Sequence, residues 1–145
     1  MVDLKKDDEI LQAIELMYFG YRAFTRGPDT LLEKRGLSRS HHRILYFIAH
    51  RNDVSVGELL TILDISKQAL NIPLRQLVSM DLVNQSKSPE DARVKILSLT
   101  ASGRKLEKSL TRTQRGLIQD ILSEAGPSGT TAWFHIMQEL AESEM

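Results

Sequence analysis

Apolar residues recur at intervals of three and four through the first part of the chain, at Ile10, Leu11, Ile14, Met17, Tyr18, Tyr21 and Phe24. That spacing places them on one stripe of a helix starting at Asp7, which Gly27-Pro28 is predicted to interrupt. A short second helix is predicted over residues 29–34, with Gly36 as its stop. Ser38 or Ser40 can then cap a helix carrying Ile44, Leu45, Phe47 and Ile48. Two further short helices are predicted over residues 56–63 and 66–80. The runs 82–87 and 94–99 read as strands joined by the turn Ser88-Pro89-Glu90-Asp91-Ala92. Thr100 is placed to cap a long amphipathic helix through Leu106, Leu110, Leu117, Ile118, Ile121 and Leu122. Gly126-Pro127-Ser128-Gly129 breaks it, and a last helix over residues 130–142 carries Trp133, Phe134, Ile136, Met137 and Leu140. The expected fold is mainly α with a small β-hairpin.

Residues 54–77 have the form of two helices joined by a tight turn. The first buries Leu59, Leu60 and Leu63, Asp64-Ile65 makes the turn, and Ser66 caps the second. Ala69, Leu70, Leu74, Leu77 and Val78 then face a core, leaving Lys67, Gln68, Asn71, Arg75 and Gln76 outward. Gln and Asn match adenine edges in a DNA major groove, Arg matches guanine, and Lys suits a phosphate. The same residues also make an ordinary solvated helix surface. The hairpin that follows favours the DNA reading, because a two-stranded wing lays Lys87, Arg93 and Lys95 along phosphates or into a minor groove. Asp91 is spaced to bond the Arg93 guanidinium and fix its direction, although an exposed pair of this kind is also common as plain surface.

Composition narrows the function. With 145 residues, 41% hydrophobic and 26% charged, the chain is sized and composed as one folded domain, residues 1–145. It has no cysteine, hence neither a disulfide framework nor a thiol switch. No apolar run reaches the roughly 20 residues of a membrane span, and the start Met1-Val2-Asp3-Leu4-Lys5-Lys6-Asp7-Asp8-Glu9 lacks the apolar core of a signal peptide, so a cytoplasmic location without membrane contact is expected. The formal net charge is zero, which argues against a nonspecific nucleic-acid coat. Residues 51–104 carry seven Lys and Arg against six acidic residues, so DNA affinity would rest on paired copies and close placement of a few cations. The four histidines lack zinc-site spacing, and no phosphate cradle, nucleophile elbow or H-E-x-x-H motif is present. No metal, cofactor or enzymatic activity is expected.

The chain resembles the MarR (multiple antibiotic resistance regulator) family of winged helix-turn-helix transcriptional regulators over nearly its whole length. Asp91 and Arg93 match the family's D-x-R, and Leu99-Thr100 with Gly103 match the L-T-x-x-G that follows it. The resemblance implies a winged helix-turn-helix lobe over residues 51–103 and dimerisation helices over 7–26 and 104–143. It implies a recognition helix presenting Ser66, Lys67, Gln68, Asn71 and Arg75 to double-stranded DNA, with Arg93 as the wing arginine and Asp91 orienting it. An inverted-repeat operator, a homodimer and repression follow as expectations, as does a small aromatic or anionic effector near Met17, Tyr18, Tyr21, Arg22, His41, His42 and Tyr46. Those residues equally serve as partly buried core. A dimer is also implied by the faces Ile10, Ile14, Met17, Tyr21 and Leu117, Ile121, Trp133, Met137, which otherwise cover their own core.

Three positions depart from the family pattern. Pro73 is predicted to bend or shorten the recognition helix; Asp81 stands where Gly is usual after that helix; Gln85 stands where Arg is frequent in the strand. Two other readings stay open: a winged helix that has lost sequence-specific binding and acts through protein contacts, favoured by the neutral charge and Pro73, and a small-molecule-binding or enzymatic helical protein.

Overall fold

The computed structural model describes residues 8–143; Asp7, the expected start of the first helix, lies outside the described residues, as does the stretch 1–7 in which no signal peptide is expected. The order is α1 Glu9–Glu33, α2 Arg39–Ala49, α3 Val56–Leu63, α4 Lys67–Ser79, β1 Val83–Lys87, β2 Lys95–Leu99 and α5 Ala101–Glu142. This is the mainly helical, winged architecture expected. Leu32, Leu45, Leu59, Leu70, Leu74, Leu77, Val83, Leu97 and Leu110 are all buried in one core that joins the end of α1, α2, α3, α4, the hairpin base and the start of α5.

The helices start on side-chain caps. Asp8, Ser55, Ser66 and Thr100 each accept a backbone N–H from the first turn that follows, satisfying donors that have no intrahelical partner. Of the two serines considered for α2, Ser38 is the cap. Three helices end alike, each with a left-handed residue: Gly36 after α1 (φ 69°), Asp64 after α3 (φ 53°) and Asp81 after α4 (φ 59°). After α4, the Leu82 N–H bonds the Leu77 carbonyl at 2.9 Å and the Asp81 N–H bonds the Val78 carbonyl at 3.1 Å, a Schellman closure. Asp81 therefore takes the backbone conformation that glycine ordinarily supplies there.

Two sequence expectations about proline are corrected. Gly27-Pro28 does not interrupt the first helix, and there is no separate helix over 29–34; α1 runs unbroken to Glu33. Pro28 is buried, and the carbonyl of Phe24, whose i+4 donor Pro28 removes, accepts from the Gln114 side-chain amide at 3.3 Å. Gly27 matters through its size: a Cβ there would lie 2.8 Å from the Thr113 hydroxyl on α5. The pair is a contact point between α1 and α5. Likewise α4 continues for six residues beyond Pro73, whose ring is buried beside Leu70, Leu74 and Leu77, so this helix is not cut short.

The break expected at 126–129 is a kink at one residue, Gly126 (φ 81°, ψ 178°), inside α5. The Thr130 hydroxyl donates across the kink to the Leu122 carbonyl at 3.1 Å. The hairpin is antiparallel with Val83 opposite Leu99 and Lys87 opposite Lys95. Its base is tied inward by a bridge between Ser55 and Ile96 and by the Leu97 N–H bonding the Val54 carbonyl at 2.9 Å. Among the described residues no helix is long and apolar enough to cross a membrane.

Candidate nucleic-acid interface and cleft

The residues after the Ser66 cap show why α4 has one wet face. Leu70, Pro73, Leu74 and Leu77 are buried, which turns Lys67, Gln68, Asn71 and Arg75 to solvent. The Ser66 hydroxyl is committed to the Ala69 N–H at 3.1 Å, so Ser66 acts first as a cap. Among the described residues, the side chains of Lys67, Gln68, Asn71, Arg75, Lys87 and Lys95 make no hydrogen bond or ion pair within the protein. Gln76 differs, because its Oε1 lies 2.7 Å from His41 Nε2.

The wing geometry matches its sequence reading. Asp91 accepts the Arg93 N–H at 3.0 Å and Nε at 3.2 Å, and its second oxygen accepts Nη2 at 3.2 Å. These bonds hold the Asp91 carboxyl below its ordinary range. The Arg93 side chain is nonetheless 91% exposed, held in direction while open to a partner. Lys87 and Lys95 face each other across the strands, an arrangement that costs stability in isolation and is relieved by an anion such as a phosphate.

Leu99, Thr100 and Gly103 lock the wing to α5. The Thr100 hydroxyl accepts the Gly103 N–H at 2.9 Å and donates to the Asp81 carbonyl at 2.7 Å, while the Thr100 N–H bonds the Leu82 carbonyl at 3.1 Å. A Cβ on Gly103 would sit 1.9 Å from the Leu82 oxygen, so only glycine fits. One side chain thus joins the end of α4 to the start of α5.

A separate cleft of about 910 Å³ lies between α1, α2 and α5. Of the residues singled out for an effector, Tyr21, His42 and Tyr46 line it; Met17, Tyr18, Arg22 and His41 do not. Arg22 stands over the Tyr18 and Phe19 rings instead. His41 is structural: its Nδ1 accepts the Ser38 N–H at 3.0 Å, which puts the ring proton on Nε2 and makes that nitrogen the donor to Gln76. This bond links α2 to α4.

The cleft also contains Phe24, Arg39, Arg43, His50, Gln114, Arg115 and Phe134, which sequence reading did not gather. A signal existed, since positions 39, 43, 46 and 50 fall on one stripe of a helix. Arg39 forms a two-point pair with Asp29, its shorter contact 2.8 Å, and Arg43 donates to the Tyr21 hydroxyl at 2.6 Å. Behind them lies Glu107, whose side chain is 4% exposed and which accepts from the Thr111 hydroxyl and from His50 Nε2, the latter at 3.3 Å. His42 Nε2 lies 3.3 Å from that same Thr111 hydroxyl. Burial pushes the His42 pKa below its ordinary value, with Glu107 opposing the shift.

A sequence profile described as the MarR family matches residues 35–94. The HTH-type transcriptional regulator PetP of Rhodobacter capsulatus is 32% identical over 139 residues, spanning 96% of this chain and 84% of PetP. The chain belongs to the MarR family. Solved MarR-family structures share the winged helix-turn-helix fold. A Staphylococcus aureus MepR–DNA complex aligns with TM-score 0.74 at 18% identity over 97% of this chain and 99% of that one. S. aureus MarR in complex with salicylate and kanamycin aligns with TM-score 0.70 at 22% identity over 90% and 92%. The family match covers α2 to the wing, the segment that carries both the α4 face and the Asp91–Arg93 pair.

Proposed function

We propose that this chain is a homodimeric, sequence-specific DNA-binding regulator, a repressor whose grip on an inverted-repeat operator is changed by a small aromatic or anionic effector. The observation that carries the reading is the free polar face of α4. Lys67, Gln68, Asn71 and Arg75 are exposed and, among the described residues, unpaired on a helix that buries Leu70, Pro73, Leu74 and Leu77 on its opposite face, and the helix leads directly into a wing bearing Lys87, Arg93 and Lys95. Gln68, Asn71 and Arg75 read base edges; Lys67, Lys87 and Lys95 neutralise phosphates; Arg93, aimed by Asp91, reaches the backbone or minor groove. Ser66 holds the first turn against the DNA.

In this reading residues 51–103 form the DNA-binding lobe, and residues 7–26 and 104–143 supply the dimer contacts. The effector site is the α1–α2–α5 cleft, with aromatic walls at Tyr21, Phe24 and Tyr46 and cations at Arg39, Arg43 and Arg115. The bound salicylate of the S. aureus MarR complex is a precedent for an aromatic anion in the fold. Coupling is supported by α2, which walls the cleft and also holds α4 through His41 and Gln76. A ligand that fits one spacing of the two recognition helices better shifts the dimer toward that spacing.

The test is to recover fragments bound from genomic DNA and titrate one site against salt. Enrichment of a short inverted repeat with steeply salt-dependent affinity is expected. Arg93→Ala should weaken binding and lower the slope of log affinity against log salt by about 1. An unchanged slope removes Arg93 from the interface, and absence of any enriched repeat from a folded dimer removes the specific-operator reading.

A further inference from the structure

The outward face of α4 contains one residue that is not polar. Ile72 is 65% exposed, more than Ile62, Ile65, Val78, Met80 or Val94. It lies opposite the buried Leu70, Leu74 and Leu77 stripe, one turn after Gln68 and one turn before Arg75, with Asn71 beside it. An apolar residue in a short amphipathic helix ordinarily faces the core.

A single exposed isoleucine is unremarkable on most surfaces. This one occupies an unfavourable position for folding. A β-branched residue loses rotamer freedom in a helix, and a residue preceding proline is disfavoured in the helical region. Ile72 has both handicaps, and its exposure returns little packing energy. Ala, Gln or Lys would serve the helix better at this point. A locally unfavourable choice on an open face of the helix marks a position selected for something outside the chain.

We propose that Ile72 is a base-reading residue, its methyl groups packing on the C5-methyl of a thymine in the major groove. The inference rests on the reading of α4 as the major-groove helix. The neighbours support the assignment: Gln68, Asn71 and Arg75 supply directional hydrogen bonds to purine edges but none distinguishes thymine, whose distinctive major-groove feature is an apolar methyl group. An apolar knob at the centre of that polar patch supplies the missing contact. It also helps a weakly charged lobe to gain specificity without added cations.

The experiment selects DNA from a random duplex pool with the wild-type protein and with Ile72→Ala. Each thymine of the wild-type site is then replaced in turn by deoxyuridine, which lacks only the methyl group. At one thymine per half-site the replacement should weaken wild-type binding about four-fold, the worth of one buried methyl group, and leave Ile72→Ala unaffected. The unselective variant should still bind, and its unfolding temperature should equal or exceed that of the wild type. If no thymine behaves this way, or the penalty is equal in both proteins, Ile72 does not read a methyl group, while the groove reading stands. If neither protein retains DNA from the pool, the groove reading itself falls and takes this inference with it.

Discussion

His42 shows how a single side chain records its surroundings. Its ring sits under the cleft with Thr111 and Glu107 on α5, Arg43 on α2 and Asp29 on α1 as the groups that act on it. The Thr111 hydroxyl donates to Glu107 and is left to accept from His42 Nε2–H, an arrangement satisfied by neutral imidazole. Burial outweighs the attraction of Glu107, and the folded pKa lies below the ordinary 6.5. Below pH 6.5 the unfolded chain takes up a proton that folded His42 refuses, so stability falls as pH drops through that interval and recovers as it rises. One group contributes at most about 1.4 kcal/mol per pH unit. Denaturant titrations at a series of pH values should give a shallower acid-side loss for His42→Gln than for the wild type; parallel profiles would show that His42 is not a buried neutral group.

At the scale of elements, the joints carry the architecture. Gly103→Ala should destabilise the fold by about 3 kcal/mol or more, because the new methyl group collides with the Leu82 backbone oxygen, which cannot move without undoing the Thr100 bridge and the closure of α4. Thermal melting checks this, and a loss under about 1 kcal/mol would mean that α5 shifts freely against the wing. The sequence revealed Thr100 and Gly103 as a motif and revealed the hairpin to within a residue, since caps, turn residues and period-2 runs are local signals. It misjudged Pro28 because the compensation is not local: the donor that satisfies Phe24 comes from Gln114, far along the chain. The helix runs on past Pro73 for a related reason, its buried ring packing within the core that holds α4 together. Among cleft residues, those taken from the α1 periodicity were found only in part, because the kink of α5 and the rotation of α2 decide which side chains converge. Ile72 was invisible until burial separated an outward isoleucine from the inward ones.

For the whole molecule the decisive quantity is the apolar surface left at the ends of the long helices. Helix α1 extends about 38 Å at 1.5 Å per residue, yet its buried residues, Thr25, Pro28 and Leu32, all lie in its last third. Ile10 is 70% and Ile14 61% exposed, and on α5 Ile121 is 55% and Ile136 61% exposed. These side chains do not cover the chain's own core. Exposed apolar side chains in this number are characteristic of an interface, and in the proposed two-fold dimer they would be buried while two copies of α4 are presented to two half-sites. Ile14→Asp combined with Ile121→Asp should therefore leave the helical circular dichroism spectrum unchanged while sedimentation shifts from dimer to monomer. Binding to an inverted repeat should fall by roughly 10²- to 10⁴-fold, because the second half-site no longer binds as part of the same assembly. Binding to an isolated half-site should change little. A wild-type protein that sediments as a monomer and still protects both half-sites would remove the dimer from the proposed function, leaving the α4 face and the wing to act singly.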